Sequence, residues 1–115
     1  MTESAHLDNV FSALAHPVRR RLIERLAEAD ATVNELAEPF AMSLPAISKH
    51  LRVLEAAGLI TRGRRAQFRP CRLNAEPLVA AADWTSQYGQ IWQARFDTMT
   101  RMIGAVEEGK NNDDG

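Results

Sequence analysis

Apolar residues recur along this chain at helical steps, and caps or breakers punctuate them. Leu7, Val10, Phe11 and Leu14 are three and four residues apart, which predicts a first helix over about 5–15 with one apolar face. His16-Pro17 ends it, and Pro17 suits the first turn of a second helix that runs to about Glu28, with Val18, Leu22, Ile23 and Leu26 inward. After a loop at Asp30-Ala31, Thr32-Val33-Asn34-Glu35 has the S/T-x-x-E form of a capping box, so a third, short helix should start at Val33 and end near Phe40. Ala41-Met42 turns the chain. Ser43 is the N-cap of a fourth helix, in which Pro45 falls early enough that its missing N–H costs no hydrogen bond. Leu44, Ile47, Leu51 and Leu54 form that helix's inward stripe, and Gly58 suits the C′ position that stops it.

The pattern then changes. Leu59 to Arg62 and Gln67 to Leu73 have strand character, with a tip at 63–66 between them. Pro70 cannot donate to a ladder, so its strand should be an edge or bulged there. A short helix, a tight turn, a capped helix and a hairpin make a winged helix-turn-helix: mainly α with a small β-hairpin wing, the helix-turn-helix over 33–57 and the wing over 59–73. Asn74 caps a last helix over about 75–108, with Pro77 in its first turn.

Trp84, Tyr88, Ile91, Trp92, Arg95, Phe96, Met99, Met102, Ile103 and Val106 form a stripe along this last helix. Two Trp, a Tyr and a Phe on one helix exceed what a small core needs. The helix is therefore expected to pair with its copy in a second subunit, joined by the first helix. The homodimer interface would comprise Leu7, Val10, Phe11, Trp84, Tyr88, Ile91, Trp92, Phe96, Met99 and Ile103. Gly89 and Gly104 each cost about 1 kcal/mol against Ala inside a helix; close helix approach and a tolerated defect are both open. Residues 1–109 read as one domain, followed by a polar, disordered tail at 110–115.

Composition narrows the class. With 115 residues, 45% hydrophobic and 25% charged, the chain reads as one soluble domain that gains from dimerising. It has no run of about 18 apolar residues to span a membrane. The first residues, Met1 to His6, have neither the basic nor the apolar region of a secretory signal. The single cysteine, Cys71, excludes an internal disulfide framework and fits a reducing cytoplasm.

Net charge becomes informative when divided. Residues 43–73 carry Lys49, Arg52, Arg62, Arg64, Arg65, Arg69 and Arg72 against Glu55, seven minus one or +6; the total of −1 leaves −7 for the rest. This asymmetry is the footprint of a polyanion-binding surface.

Phe11-x-Ala13-Leu14-Ala15-x-Pro17-x-Arg19-Arg20, Glu35-Leu36-Ala37, Ser43-x-Pro45-Ala46-Ile47-Ser48-Lys49-His50-Leu51-x-Val53-Leu54 and Ala57-Gly58-Leu59-Ile60 together resemble the ArsR-type transcriptional repressors of bacteria and archaea. The resemblance covers about residues 7–105 and is most specific from Ser43 to Ile60. It implies a homodimeric winged helix that binds double-stranded operator DNA and is often released by a metal or another signal. It also implies a prokaryotic, cytoplasmic, nucleoid-associated protein.

Carried over by position, the recognition helix contributes Ser43, Ala46, Ser48, Lys49, His50 and Arg52, and the wing Arg62, Arg64, Arg65, Gln67 and Arg69. The serines suit phosphate or base edges, Ala46 a thymine methyl, and Lys49 and Arg52 guanine or phosphate. His50 reads equally as a half-buried polar residue at the domain boundary. Arg19 and Arg20 read equally as phosphate contacts or as partners of acids such as Glu24.

The sequence departs from the resemblance at its metal sites. Glu35-Leu36-Ala37-Glu38-Pro39 holds no Cys, and the last helix has Asp83 and Asp97 but no His. His6, His16, His50 and Cys71 are too scattered to supply zinc's four ligands within one chain, which leaves only a site shared between subunits. No metal, no cofactor and no catalytic constellation is expected. An unidentified effector has a conceivable seat against Trp84, Tyr88 or Trp92, though such a stripe is more often core. Two alternatives stand beside the repressor: a redox switch in which Arg69 and Arg72 activate Cys71, and a winged helix serving protein or RNA contacts.

Overall fold

The computed structural model describes residues 3–63 and 70–113, with side chains described over 6–63 and 70–107. In order along the chain come α1 (Glu3–Leu14), α2 (Pro17–Glu28), α3 (Val33–Ala37), α4 (Leu44–Ala56), β1 (Ile60–Arg62), β2 (Cys71–Leu73) and α5 (Glu76–Asp113). The chain divides into two units, Met1–Ala81 and Ala82–Gly115, each of which is taken by itself.

Local chemistry sets the first unit's boundaries. His16 accepts the Val18 N–H on Nδ1 at 3.1 Å and so caps α2, with Pro17 in the first turn. The Thr32–Glu35 capping box forms in full: the Thr32 Oγ1 accepts the Glu35 N–H at 3.3 Å, and the Glu35 carboxylate accepts the Thr32 N–H at 3.1 Å. Those two bonds to Thr32, backbone first and hydroxyl second, hold the Glu35 carboxyl below its ordinary pKa. Ser43 Oγ accepts the Ala46 N–H at 3.3 Å as the cap of α4.

At the other end of α4, Gly58 takes φ +76°; its N–H donates to the Glu55 carbonyl at 2.9 Å, and the Leu59 N–H donates to that of Leu54 at 3.0 Å. These are the two reversed bonds of a Schellman motif, and the left-handed turn they need suits a residue without Cβ.

β1 and β2 pair antiparallel, Ile60 with Leu73, Thr61 with Arg72 and Arg62 with Cys71. Ala31 adds a bridge on the outer side of β2, exchanging bonds of 2.7 and 3.2 Å with the Cys71 backbone. Asn74 ties three elements together. Its N–H donates to the Leu59 carbonyl at 2.8 Å, its Nδ2 to the Gly58 carbonyl at 2.9 Å, and its Oδ1 accepts the Glu76 N–H at the start of α5 at 3.4 Å.

The core of this unit joins Val10 and Ala13 of α1, Leu22 and Leu26 of α2, Leu36 of α3, Ile47, Leu51 and Leu54 of α4, then Leu59, Ile60 and Cys71. Each large aliphatic side chain withdrawn from water contributes about 1.5–3 kcal/mol before entropy is charged against it.

Several expectations need correction. Val10 lies in this core rather than at an interface, because α1 turns it toward α2 together with Ala13. Leu44 is not inward: as the first residue of α4 it lies beyond the layer that covers Ile47, Leu51 and Leu54, and is 48% exposed. α3 is shorter than expected, since after Ala37 the chain passes into turns and Phe40 donates its N–H to the Ala37 carbonyl. The second strand starts at Cys71: Pro70 lies just outside it, its carbonyl accepting the Gly63 N–H at 2.9 Å, while 67–69 lie outside the described residues.

α5 runs on to Asp113 and takes in 110–113 of the expected tail, because extending a formed helix adds a bond for each residue fixed and one Gly109 does not outweigh that. In the second unit the apolar stripe is exposed: Tyr88 55%, Ile91 53%, Trp92 71%, Phe96 58% and Met99 60%. Among the described residues, no helix is long and apolar enough to cross a membrane.

Candidate nucleic-acid interface

The buried stripe of α4 fixes what its opposite face presents. With Ile47, Leu51 and Leu54 inward, Ser43, Pro45, Lys49, Arg52 and Val53 are exposed, and Ala46, Ser48 and His50 are half-buried at the margins. Lys49 follows Pro45 and Ala46 by one turn, so these three share a patch that also takes in Arg52 and Val53. Among the described residues neither Lys49 nor Arg52 has a hydrogen-bond or ion-pair partner, and the patch holds no acid. Ser43 Oγ is engaged as a cap, which leaves its hydroxyl hydrogen for an acceptor outside the chain.

The hairpin's cations divide by strand alternation. Arg62 shares a face with Ile60 and turns inward: its Nε is 3.9 Å from Glu55 Oε2, and its Nε and Nη2 are buried with no hydrogen-bond partner among the described residues. Its expected place on the DNA surface is therefore corrected, and the two-residue period from Ile60 is the signal that would have found it. Arg72 points outward but pairs with Asp30, Nε to Oδ2, at 3.1 Å. Arg64, Arg65, Gln67 and Arg69 lie outside the described residues.

His50 belongs to a seam between α2 and α4. Its Nδ1 lies 3.2 Å from Arg19 Nη1, and its ring stands 4.4 Å from that of His16. Burial first, then the neighbouring His16, Arg19 and Lys49, push its pKa down. This geometry favours the boundary role for His50 over contact with a base. Arg19 and Arg20 neither pair with Glu24 nor stand free. Arg19 donates to the Ala13 carbonyl at 2.6 Å and to that of Ser12 at 3.2 Å, and Arg20 to that of Leu14 at 2.7 Å. They satisfy the last carbonyls of α1, which has no basic residue of its own there, and place positive charge at the negative end of its dipole.

This arrangement is that of known proteins. Residues 14–63 match a helix-turn-helix domain family. The transcriptional repressor SdpR of Bacillus subtilis is 37% identical over 78 residues, which are 68% of this chain and 87% of that protein. A crystal structure of an ArsR family transcriptional regulator superposes with a TM-score of 0.71 at 39% identity, over 76% of this chain and 97% of that one. An ArsR-like transcriptional regulator from Rhodococcus sp. RHA1 follows with a TM-score of 0.68 at 28% identity, over 86% and 93% of the two chains. The chain belongs to the ArsR family. It is a DNA-binding transcriptional regulator with a winged helix-turn-helix, not an enzyme.

Within this ArsR chain the redox alternative loses its physical basis. Cys71 is wholly buried, and burial raises its thiol pKa further than the nearby Arg62 lowers it. Arg72, its neighbour in sequence, lies on the opposite face of the strand with Asp30. Among the described residues no three His, Cys, Asp or Glu side chains converge on one point. Leu44, Pro45 and Val53 are further exposed residues of α4: Leu44 has the spacing of the inward stripe, and nothing in the type of Pro45 or Val53 marks it as outward.

Proposed function

We propose that this ArsR-family chain is a homodimeric repressor that binds double-stranded operator DNA, including an operator in its own promoter region, and carries no metal switch. The observation that carries it is the outer face of α4, on which Lys49 and Arg52 stand exposed and unpaired beside Ser43, Ala46 and Ser48, while the helix's one acid, Glu55, lies by Arg62. A helix of that width and chemistry suits the major groove. Arg64, Arg65, Gln67 and Arg69 join it on the wing as phosphate contacts, on the strength of sequence and charge. Relatives named as repressors support the sign of regulation.

The exposed stripe of α5 supports the dimer. A soluble chain seldom leaves Tyr88, Ile91, Trp92, Phe96, Met99 and Ile103 all open to water along one helix. A second copy would cover them, with Trp84, Leu7 and Phe11 contributing, and would place two recognition helices at half-sites about 34 Å apart. Lys49→Ala or Arg52→Ala is expected to weaken binding to the promoter fragment by about 1–3 kcal/mol, read by fluorescence anisotropy. Arg72→Ala, whose side chain is already paired with Asp30, should change it less. Wild-type affinity in both of the first two variants would misplace the DNA surface.

A further inference from the structure

The first turn of α4 presents exposed apolar groups, and exposed cations, Lys49 and Arg52, follow it along the helix. Leu44 is 48% exposed and Pro45 is exposed beside it, while Val53, two turns on along the side of Ala46, is 36% exposed. Helical side chains lean toward the N-terminus, so Leu44 and Pro45 project past the end of the helix, and that end is what a recognition helix presents to base edges. No core residue needs Leu44 there, since the core closes at Ile47. The major groove offers one apolar feature to such a group, the C5 methyl of thymine. We infer that Leu44, Pro45 and Val53 are specificity-determining residues that cover thymine methyls, so that each operator half-site carries thymines beneath the first turn of α4 and again beneath Val53. A protein partner on the same apolar tip is the competing occupant, but Lys49 and Arg52 flank the tip with positive charge and favour nucleic acid.

This inference rests on the DNA-binding reading above, and the experiment separates the two. The full chain is used to select from a randomised duplex pool of roughly 30 base pairs, long enough for two half-sites a helical turn apart. The pool is made once with thymidine and once with deoxyuridine, which keeps every hydrogen-bonding group and removes only the methyl. The best duplex is then remade with single uracils. Uracil beneath the first turn or beneath Val53 should lower wild-type affinity about fourfold for each methyl uncovered.

Leu44→Ala, exposed and therefore harmless to folding, should abolish the thymine preference at its position, and Pro45→Ala and Val53→Ala at theirs. Lys49→Ala should weaken thymine and uracil duplexes alike and keep their ratio. Equal affinity of the wild type for both at every position overturns the inference while leaving DNA binding intact. So does a thymine preference that survives in all three variants. If neither pool is enriched, the DNA-binding reading falls and takes this inference with it.

Discussion

Leu51 and Trp92 are both large apolar residues on amphipathic helices, yet Leu51 is wholly buried and Trp92 is 71% exposed. The contrast extends to their surroundings. In Met1–Ala81, Leu22, Ile47, Leu54 and Leu59 are closed off by neighbours from four helices and a hairpin. In Ala82–Gly115, Tyr88, Ile91, Phe96 and Met99 line one helix with more than half of each exposed. The same 3.6-residue rhythm runs through both. It locates a face and says nothing of what covers it. The first unit covers its face with its own packed elements, whose ends are set by caps and a Schellman turn, whereas the described stripe of the second stays exposed.

The largest expected effect tests the second half of that contrast. Trp92→Glu, placing a charge in the middle of the α5 stripe, should leave monomers in sedimentation and cost operator affinity about 100-fold or more, because one recognition helix then binds without the avidity of two. A dimer that persists would mean that α5 is covered by something else. The first half is tested by Leu51→Ala, expected to lower stability by about 2–5 kcal/mol in denaturant unfolding through the cavity it opens. A loss below 1 kcal/mol, on the same scale of cavity costs, would mean that the winged-helix core is looser than its complete burial implies.

The smallest effect is a pH dependence within the first unit. His50 in the folded chain sits below its ordinary pKa of 6.5, chiefly through burial and then through His16, Arg19 and Lys49, so the unfolded chain takes up its proton more readily. Its contribution to stability is therefore complete above pH 6.5 and is lost as pH falls through the folded-state value. The melting temperature should decline on acidification below pH 6.5, and less steeply in His50→Gln, whose neutral amide does not titrate. Glu35, held low by its cap, keeps its share down to its ordinary value of 4.5 and loses it as pH falls below that through its folded-state value, which separates the two steps. A melting temperature that rises on acidification through the histidine range would contradict the seam.

Much of the fold was legible because it is written in adjacent residues. Thr32–Glu35, Ser43, Pro17 and Gly58 each act within a turn of themselves, and the structure has them as expected. What escaped depends on where an element ends or on what lies across it. Leu44 shares its type with Leu51 but falls beyond the core's edge. Arg62 shares its charge with Lys49 but alternates inward. Val10 and Phe11 are adjacent on one helix, and only the packing of α1 against α2 separates a buried residue from an exposed one. Cys71 has arginines beside it in sequence, and burial decides its chemistry instead. On α4, Lys49 and Arg52 are exposed as their type suggests, His50 sits in the seam with Arg19 and His16, and the exposure of Leu44, Pro45 and Val53 was not legible, because polar exposure is the rule and apolar exposure has to be seen.

The proposal that joins the two units is that the α5 stripe doubles the α4 surface on DNA. Its most direct test is the stoichiometry of the full chain on one duplex selected from the thymidine pool, measured by sedimentation equilibrium. Two protomers per duplex are expected, protecting half-sites centred about 34 Å apart. One protomer per duplex, bound as tightly in Trp92→Glu as in the wild type, would contradict it.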